Sequence, residues 1–286
     1  MRAIVILVLS ALVLAACGEG GEPEAAQGDE IAVELALGGL DNPQDVTPSP
    51  DGSEIYYVTA GESGSGLFKI EGTDGELLAS FEQASSLVLS ADGATIFVGD
   101  REGGIFAVPA AGGAPAVLAG TEGFEVSHLD RDGAQIVFVG TDAEGVAGIW
   151  SAPIGGGEVA EIEVGLEAAP TGILALGGGE LIVAHASGLV ERIGGAAEGA
   201  LVEGERLGAP TGMAVSADGV TLMVSSLSAA GTAQVLLVPL DGGEPGVFDD
   251  VIGENRSAGG LRCTADVSVC VWIDSTGGGV YKIRFR

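Results

Sequence analysis

Leu87-Val88-Leu89-Ser90-Ala91-Asp92-Gly93-Ala94-Thr95-Ile96-Phe97-Val98-Gly99-Asp100 holds two short apolar runs joined by an Asp-Gly pair. The runs are rich in β-branched and aromatic residues and too short for a globular helix, so each reads as a strand. Asp-Gly supplies the positive φ that a tight hairpin needs. A third run, Ile105-Phe106-Ala107-Val108, follows a Gly-rich turn, and a fourth, Ala116-Val117-Leu118, follows another. Residues 87–118 therefore predict one four-stranded antiparallel unit.

That unit repeats. Asp-Gly recurs at Asp51-Gly52, Asp92-Gly93, Asp132-Gly133 and Asp218-Gly219, with Gly178-Gly179 filling the middle and Ala265-Asp266 closing the series. The spacing, about 40 to 48 residues, is the size of one propeller blade. Five units carry all four strands. The sixth ends after its third strand, Val280-Tyr281-Lys282-Ile283, while a lone strand, Ile31 to Leu37, precedes the first unit. Supplied to the sixth unit, it completes that blade and closes the ring, where an open ring would expose strand edges. The expected fold is all-β: a six-bladed β-propeller with four antiparallel strands per blade, the last completed by the N-terminal strand, over residues 30–286.

The sequence ahead of it reads as a leader. Met1-Arg2 precedes an apolar run from Ala3 to Leu14, too short at about 1.5 Å per residue to span the bilayer. Leu14-Ala15-Ala16-Cys17 resembles the bacterial lipobox, which implies a signal peptide over 1–16 and lipidation of Cys17. Residues 17–29 are acidic, Gly-rich and aperiodic, hence a flexible tether. The expected location is the bacterial cell envelope, exported and held by the lipid at the outer membrane or the outer face of the plasma membrane. An ordinary secretory cleavage with an incidental thiol is the alternative.

Composition narrows the partners. The chain of 286 residues has 41 acidic residues against 11 Lys+Arg, a net charge of −30. Such a surface repels phosphate and has no basic stripe to release counterions, which argues against nucleic acid. Anionic headgroups are repelled too, so membrane contact is expected through the lipid alone. The acidity fits solubility or salt adaptation, with capture of cations or basic partners as the alternative. A monomer is expected. Cys263 and Cys270 flank the first hairpin of the sixth unit and read as a disulfide in an exported protein, with two buried thiols as the alternative.

The near-repeated Ser-Ala-Asp-Gly (Ser90 to Gly93, Ser216 to Gly219) and Ala-Pro-Thr-Gly (Ala169 to Gly172, Ala209 to Gly212) make the chain resemble the six-bladed propellers of the TolB, NHL and senescence-marker/gluconolactonase groups. The resemblance covers nearly all of residues 30–286. It implies a fold more than an activity. Gluconolactonase-type relatives hold a divalent metal through carboxylate and Asn ligands near the channel. Here only Asn42 and Asn255 are present, and no matching Glu opens the first blade.

In this architecture the loops leading into the innermost strands share one face with those joining second and third strands. Counting back from each Asp-Gly, the third and fifth positions are mostly apolar (Leu87 and Leu89, Ile173, Met213, Leu261) and are assigned to packing. The fourth and sixth are mixed and include Val126. They nominate Asp45, Thr47, Ser86, His128 and Arg262 as channel residues. His128 is a candidate base or metal ligand, a hydrogen-bonded structural role being the alternative. Asp41-Asn42-Pro43-Gln44-Asp45 offers oxygens suited to Ca²⁺, and turn formation explains it equally. No cofactor is required by any motif, and Ca²⁺ or another divalent metal is the one candidate. Asp130-Arg131-Asp132-Gly133 lacks the other ligands of an EF-hand, and no P-loop Lys follows a Gly-rich stretch.

Two functions remain. One is an envelope propeller that binds a protein, peptide or small ligand. The other is a metal-assisted lactone or ester hydrolase acting at the channel mouth, with Asn42, Asp45 and His128 as its participants.

Overall fold

The structure, a computed structural model, describes residues 31–62, 64–164, 170–195, 198–202, 208–228, 231–248 and 259–285. The expected leader, Cys17, the tether and Asn255 lie outside them.

Among the described residues, twenty-four strands form six antiparallel sheets of four. Their innermost strands are Pro43–Pro48, Ala84–Leu89, Glu125–Asp132, Pro170–Gly177, Gly208–Val215 and Gly259–Cys263. Each touches the next around a ring, and the sixth touches the first. The chain is a six-bladed β-propeller.

Closure follows the strand tally. Ile31–Leu37 is the outer strand of blade 6, paired antiparallel with Gly279–Phe285, with Val33 opposite Ile283 and Leu35 opposite Tyr281. Leu37 is buried with Val271 and Ile273. The two ends of the propeller thus share one sheet, and opening the ring requires separating that pair. A covalent link adds to it: Cys263 and Cys270, directly opposite in the first hairpin of blade 6, are disulfide-bonded.

The hairpins show why Ser-x-Asp-Gly recurs. In blade 2 Ser90 Oγ donates to Asp92 Oδ1 at 2.6 Å, the Ala94 and Thr95 amides bond to Asp92 and to Ser90 Oγ, and Gly93 takes φ 70°. Ser49-Asp51, Ser216-Asp218 and Thr264-Asp266 repeat the arrangement. Hydrogen bonds from Ser49 and Ser53 hold the exposed Asp51 carboxyl down at about 2. In blade 6 the residue at positive φ is Val267 (57°), so the turn pair there is Asp266-Val267, one residue later than the repeat spacing suggests.

The core is six apolar layers, one between each pair of neighbouring blades. A radial sheet has both faces covered. Ile96 and Val98 enter the layer toward blade 1, whereas Phe97 enters the layer toward blade 3. Strand alternation therefore sorts side chains between two neighbours, and it does not separate packing from channel. This corrects the counting rule applied to the innermost strands. Val126, counted toward the channel, is fully buried between blades 2 and 3.

Candidate functional site: a cup at the channel mouth

A cavity of about 260 Å³ opens where the six innermost strands begin, and every blade contributes to its wall. Gln44 and Asp45 come from blade 1, Ser85 and Ser86 from blade 2, and His128 from blade 3. Thr171 and Ile173 come from blade 4, Thr211 and Met213 from blade 5, and Leu261 and Arg262 from blade 6. Arg101 reaches in from the loop joining the second and third strands of blade 2.

Arg262 forms the floor. Its guanidinium lies 3.4 Å from Asp45 Oδ2 in blade 1 and 3.2 Å from Asp130 Oδ1 in blade 3, and donates to the Leu129 carbonyl at 2.8 Å. Blade 3 is opposite blade 6, so this one side chain reaches across the ring. Asp45 Oδ2 also accepts from Ser86 Oγ at 2.7 Å and from the Leu87 amide at 3.0 Å. Asp130 Oδ2 accepts from the Ala175 amide in blade 4 at 2.8 Å. Burial opposes the arginine's charge, but Asp45 and Asp130 outweigh it and hold its pKa above the ordinary value. The network joins five blades.

His128 stands beside this network, half-buried, with Nδ1 3.3 Å from Ser127 Oγ. Burial lowers its pKa to about 4, the Asp45 charge opposing that shift and Arg101 and Arg262 adding to it. At neutral pH the ring is uncharged, with one donor and one acceptor nitrogen.

The candidate residues divide. Asp45, Ser86, His128 and Arg262 share the cavity. Thr47 is buried below it, its hydroxyl turned to the Pro48 carbonyl. Asn42 builds a turn: it adopts φ 49°, its side chain donates to the Ala60 carbonyl, and its own carbonyl accepts from Ala60 and Gln44. Asp41 lies over Gly61, where an added Cβ would meet its carboxylate at 2.2 Å. None of these three lines the cavity.

Three groups escaped the sequence reading. Arg101 sits on the correct face, but loop length gave no register by which to place it. Asp130 was hidden because counting stopped at the fourth and sixth positions. Thr171 and Thr211 are the threonines of the repeated Ala-Pro-Thr-Gly, and both reach the cavity; the Thr171 hydroxyl donates to the Pro210 carbonyl and so ties one repeat to the next.

A divalent metal does not fit these residues. Asp45 and Asp130 already share a guanidinium and backbone amides, so the cation at this position is Arg262. Among the described residues no three His, Cys, Asp or Glu side chains converge as a ligand set.

No protein family's sequence profile matches the chain, and no curated protein matches it in sequence. Solved structures resemble it in fold. An auxiliary nutrient binding protein from Bacteroides ovatus superposes with TM-score 0.69 at 12% identity, covering 90% of this chain and 77% of its own. A calcium-binding regucalcin from Agrobacterium tumefaciens gives 0.66 at 12% identity, covering 86% and 91%. A candidate gluconolactonase gives 0.66 at 13% identity, covering 91% and 93%. Identities this low establish a shared propeller fold and no shared chemistry.

Proposed function

We propose that this chain is an envelope-anchored binding propeller whose ligand site is the cup at the channel mouth. The observation that carries the reading is the cup itself: six blades converge on one cavity whose lining includes an arginine shared by two buried carboxylates. Its volume, about 260 Å³, lies just under the ~300–1,000 Å³ typical of drug-sized pockets, which suits a small metabolite better than a folded partner. A rigid floor and β-strand walls provide a preorganised site. The sequence of the leader and the lipobox-like Leu14-Ala15-Ala16-Cys17 supports placement on the membrane surface.

The hydrolase reading draws on the fold alone. Without a fitting ligand set for a metal, its remaining participant is His128, a weak base at about 4.

The test is a small-molecule screen by thermal shift on the protein and on Gln44→Trp, which places an indole at the cavity rim. A ligand at one hundred times its Kd stabilises by about 2.7 kcal/mol. Ligands that raise the melting temperature of the parent and leave the variant unmoved support the cup as the site. Equal stabilisation of both proteins overturns it, and consumption of a lactone or ester by the parent overturns the non-enzymatic reading.

A further inference from the structure

The cavity has two unlike sides. Blades 2 and 3 present Arg101, Ser85, Ser86 and His128, whereas blades 4 to 6 present, beside Thr171, Thr211 and Arg262, the edges of Ile173, Met213 and Leu261, whose bulk packs between blades. A ligand that fits both is polar at one end and apolar along its body.

Hydroxyls around the cavity are already committed. Ser86 Oγ gives its proton to Asp45, Ser85 Oγ to the Val126 carbonyl at 2.7 Å, and Thr171 Oγ1 to the Pro210 carbonyl. Gln44 Nε2 bonds the Asn42 carbonyl. A hydroxyl has one proton to donate, so these serines and Thr171 meet a ligand as acceptors. Donors remain among the described lining side chains: the Arg101 guanidinium, Arg262 Nε, the second N–H of Gln44 and one nitrogen of the neutral His128.

Arg101 is also uncompensated. Its side chain is exposed and makes no ion pair or hydrogen bond among the described residues, in a chain of net charge −30. Its backbone is fixed. The buried Asp100 carboxylate accepts from the Gln83 amide at 2.9 Å and the Glu102 amide at 2.7 Å, and the Arg101 amide donates to the Gln83 carbonyl. Glu102, the nearest carboxylate in sequence after Asp100, is engaged by Gln83 Nε2 at 3.0 Å. The loop thus holds one open guanidinium at the rim.

We propose that the cup selects a small monocarboxylate, with Arg101 receiving the charged end and the Ile173–Met213–Leu261 wall receiving the apolar body. The proposal rests on the cup being the ligand site. The Arg262 charge is shared by Asp45 and Asp130, so among the described residues Arg101 is the cavity's cation without an anionic partner, and one carboxylate matches it. A second negative charge would add repulsion from a chain of net charge −30. The planar fork of a guanidinium matches a carboxylate in two parallel hydrogen bonds. His128 lines the same cavity and offers one ring nitrogen as a further donor.

The experiment is isothermal calorimetry at low ionic strength with matched pairs that share one body: phenylacetate and phenylacetamide, pentanoate and pentanamide, with phenyl phosphate as the dianion. Each acid is expected to bind about ten- to a hundred-fold tighter than its amide. Arg101→Gln, on an exposed side chain with no internal partner among the described residues, should erase that difference by weakening the acids more than the amides, and Arg101→Lys should restore part of it. Amides binding as tightly as acids, an acid preference that survives Arg101→Gln, or phenyl phosphate binding tightest each overturns the monocarboxylate assignment while the cup stands. Heats that persist unchanged in Gln44→Trp, or no binding by any member of a pair, overturn the cup itself.

Discussion

Replacing Arg262 with Met removes the one cation that two carboxylates share across the axis. Asp45 and Asp130 side chains are 8% and 11% exposed, so each would be left with its charge largely desolvated. Breaking a buried pair from one side costs about 3–5 kcal/mol, and here the Leu129 carbonyl loses its donor as well. Urea unfolding at pH 7 reads this directly. With m near 3 kcal/mol/M, the midpoint should fall by about 1 to 1.7 M at unchanged slope. Neutralising the stranded charges in the same chain, Asp45→Asn with Asp130→Asn, should recover part of the loss. Arg262→Lys should fall between parent and Met, because a point charge does not reach both carboxylates at once. Added salt should change the difference little, since the pair is buried. A loss under about 1 kcal/mol, the range of an exposed pair, would refute the view that this arginine holds the blades together.

Other expectations follow from single features. His128 has a folded pKa near 4 against an ordinary 6.5, so between those values the unfolded chain binds a proton that the folded chain does not. Stability from this group is therefore full above about pH 6.5 and falls by about 3 kcal/mol as pH drops toward 4, a slope that His128→Gln should remove in urea titrations at several pH values. Reduction of Cys263–Cys270, or the double serine variant, should cost about 2 to 2.5 kcal/mol, as closure entropy for a loop that short allows, in paired oxidised and reduced unfolding curves. Deleting residues through Leu37 strips Gly279–Phe285 of its partner strand and uncovers its apolar neighbours. Several ladder hydrogen bonds and buried side chains at about 1 to 3 kcal/mol each approach a whole domain's stability, so light scattering should find association or unfolding rather than a monomer.

Much of the fold was legible because its determinants are local. Ser90, Asp92 and Gly93 complete a hairpin without help from distant residues, and four of the six turns repeat that chemistry. The closing strand required only a strand count, since a ring has no place for an unpaired Ile31–Leu37. The site was legible in part. Asp45, Ser86, His128 and Arg262 are polar residues in otherwise apolar strands, and that mismatch marks them. Thr47 and Val126 misled for a geometric reason, because both faces of a radial blade are packed. Asp130 and Arg101 act through partners 132 residues away in Arg262 or through a loop pinned by Asp100, and neither arrangement leaves a periodic trace.

The two histidines provide the most direct test of whether the ring's centre is where ligand sits. His128 lines the cavity, while His185 lies outside it, bonded to Glu191 at 2.8 Å. Proton NMR of the imidazole resonances during titration with phenylacetate should move the His128 signal and raise its pKa from about 4, as a neighbouring anion favours the charged ring, and should leave His185 in place. A ligand that binds by calorimetry yet leaves the His128 resonance and its titration unchanged would contradict the account.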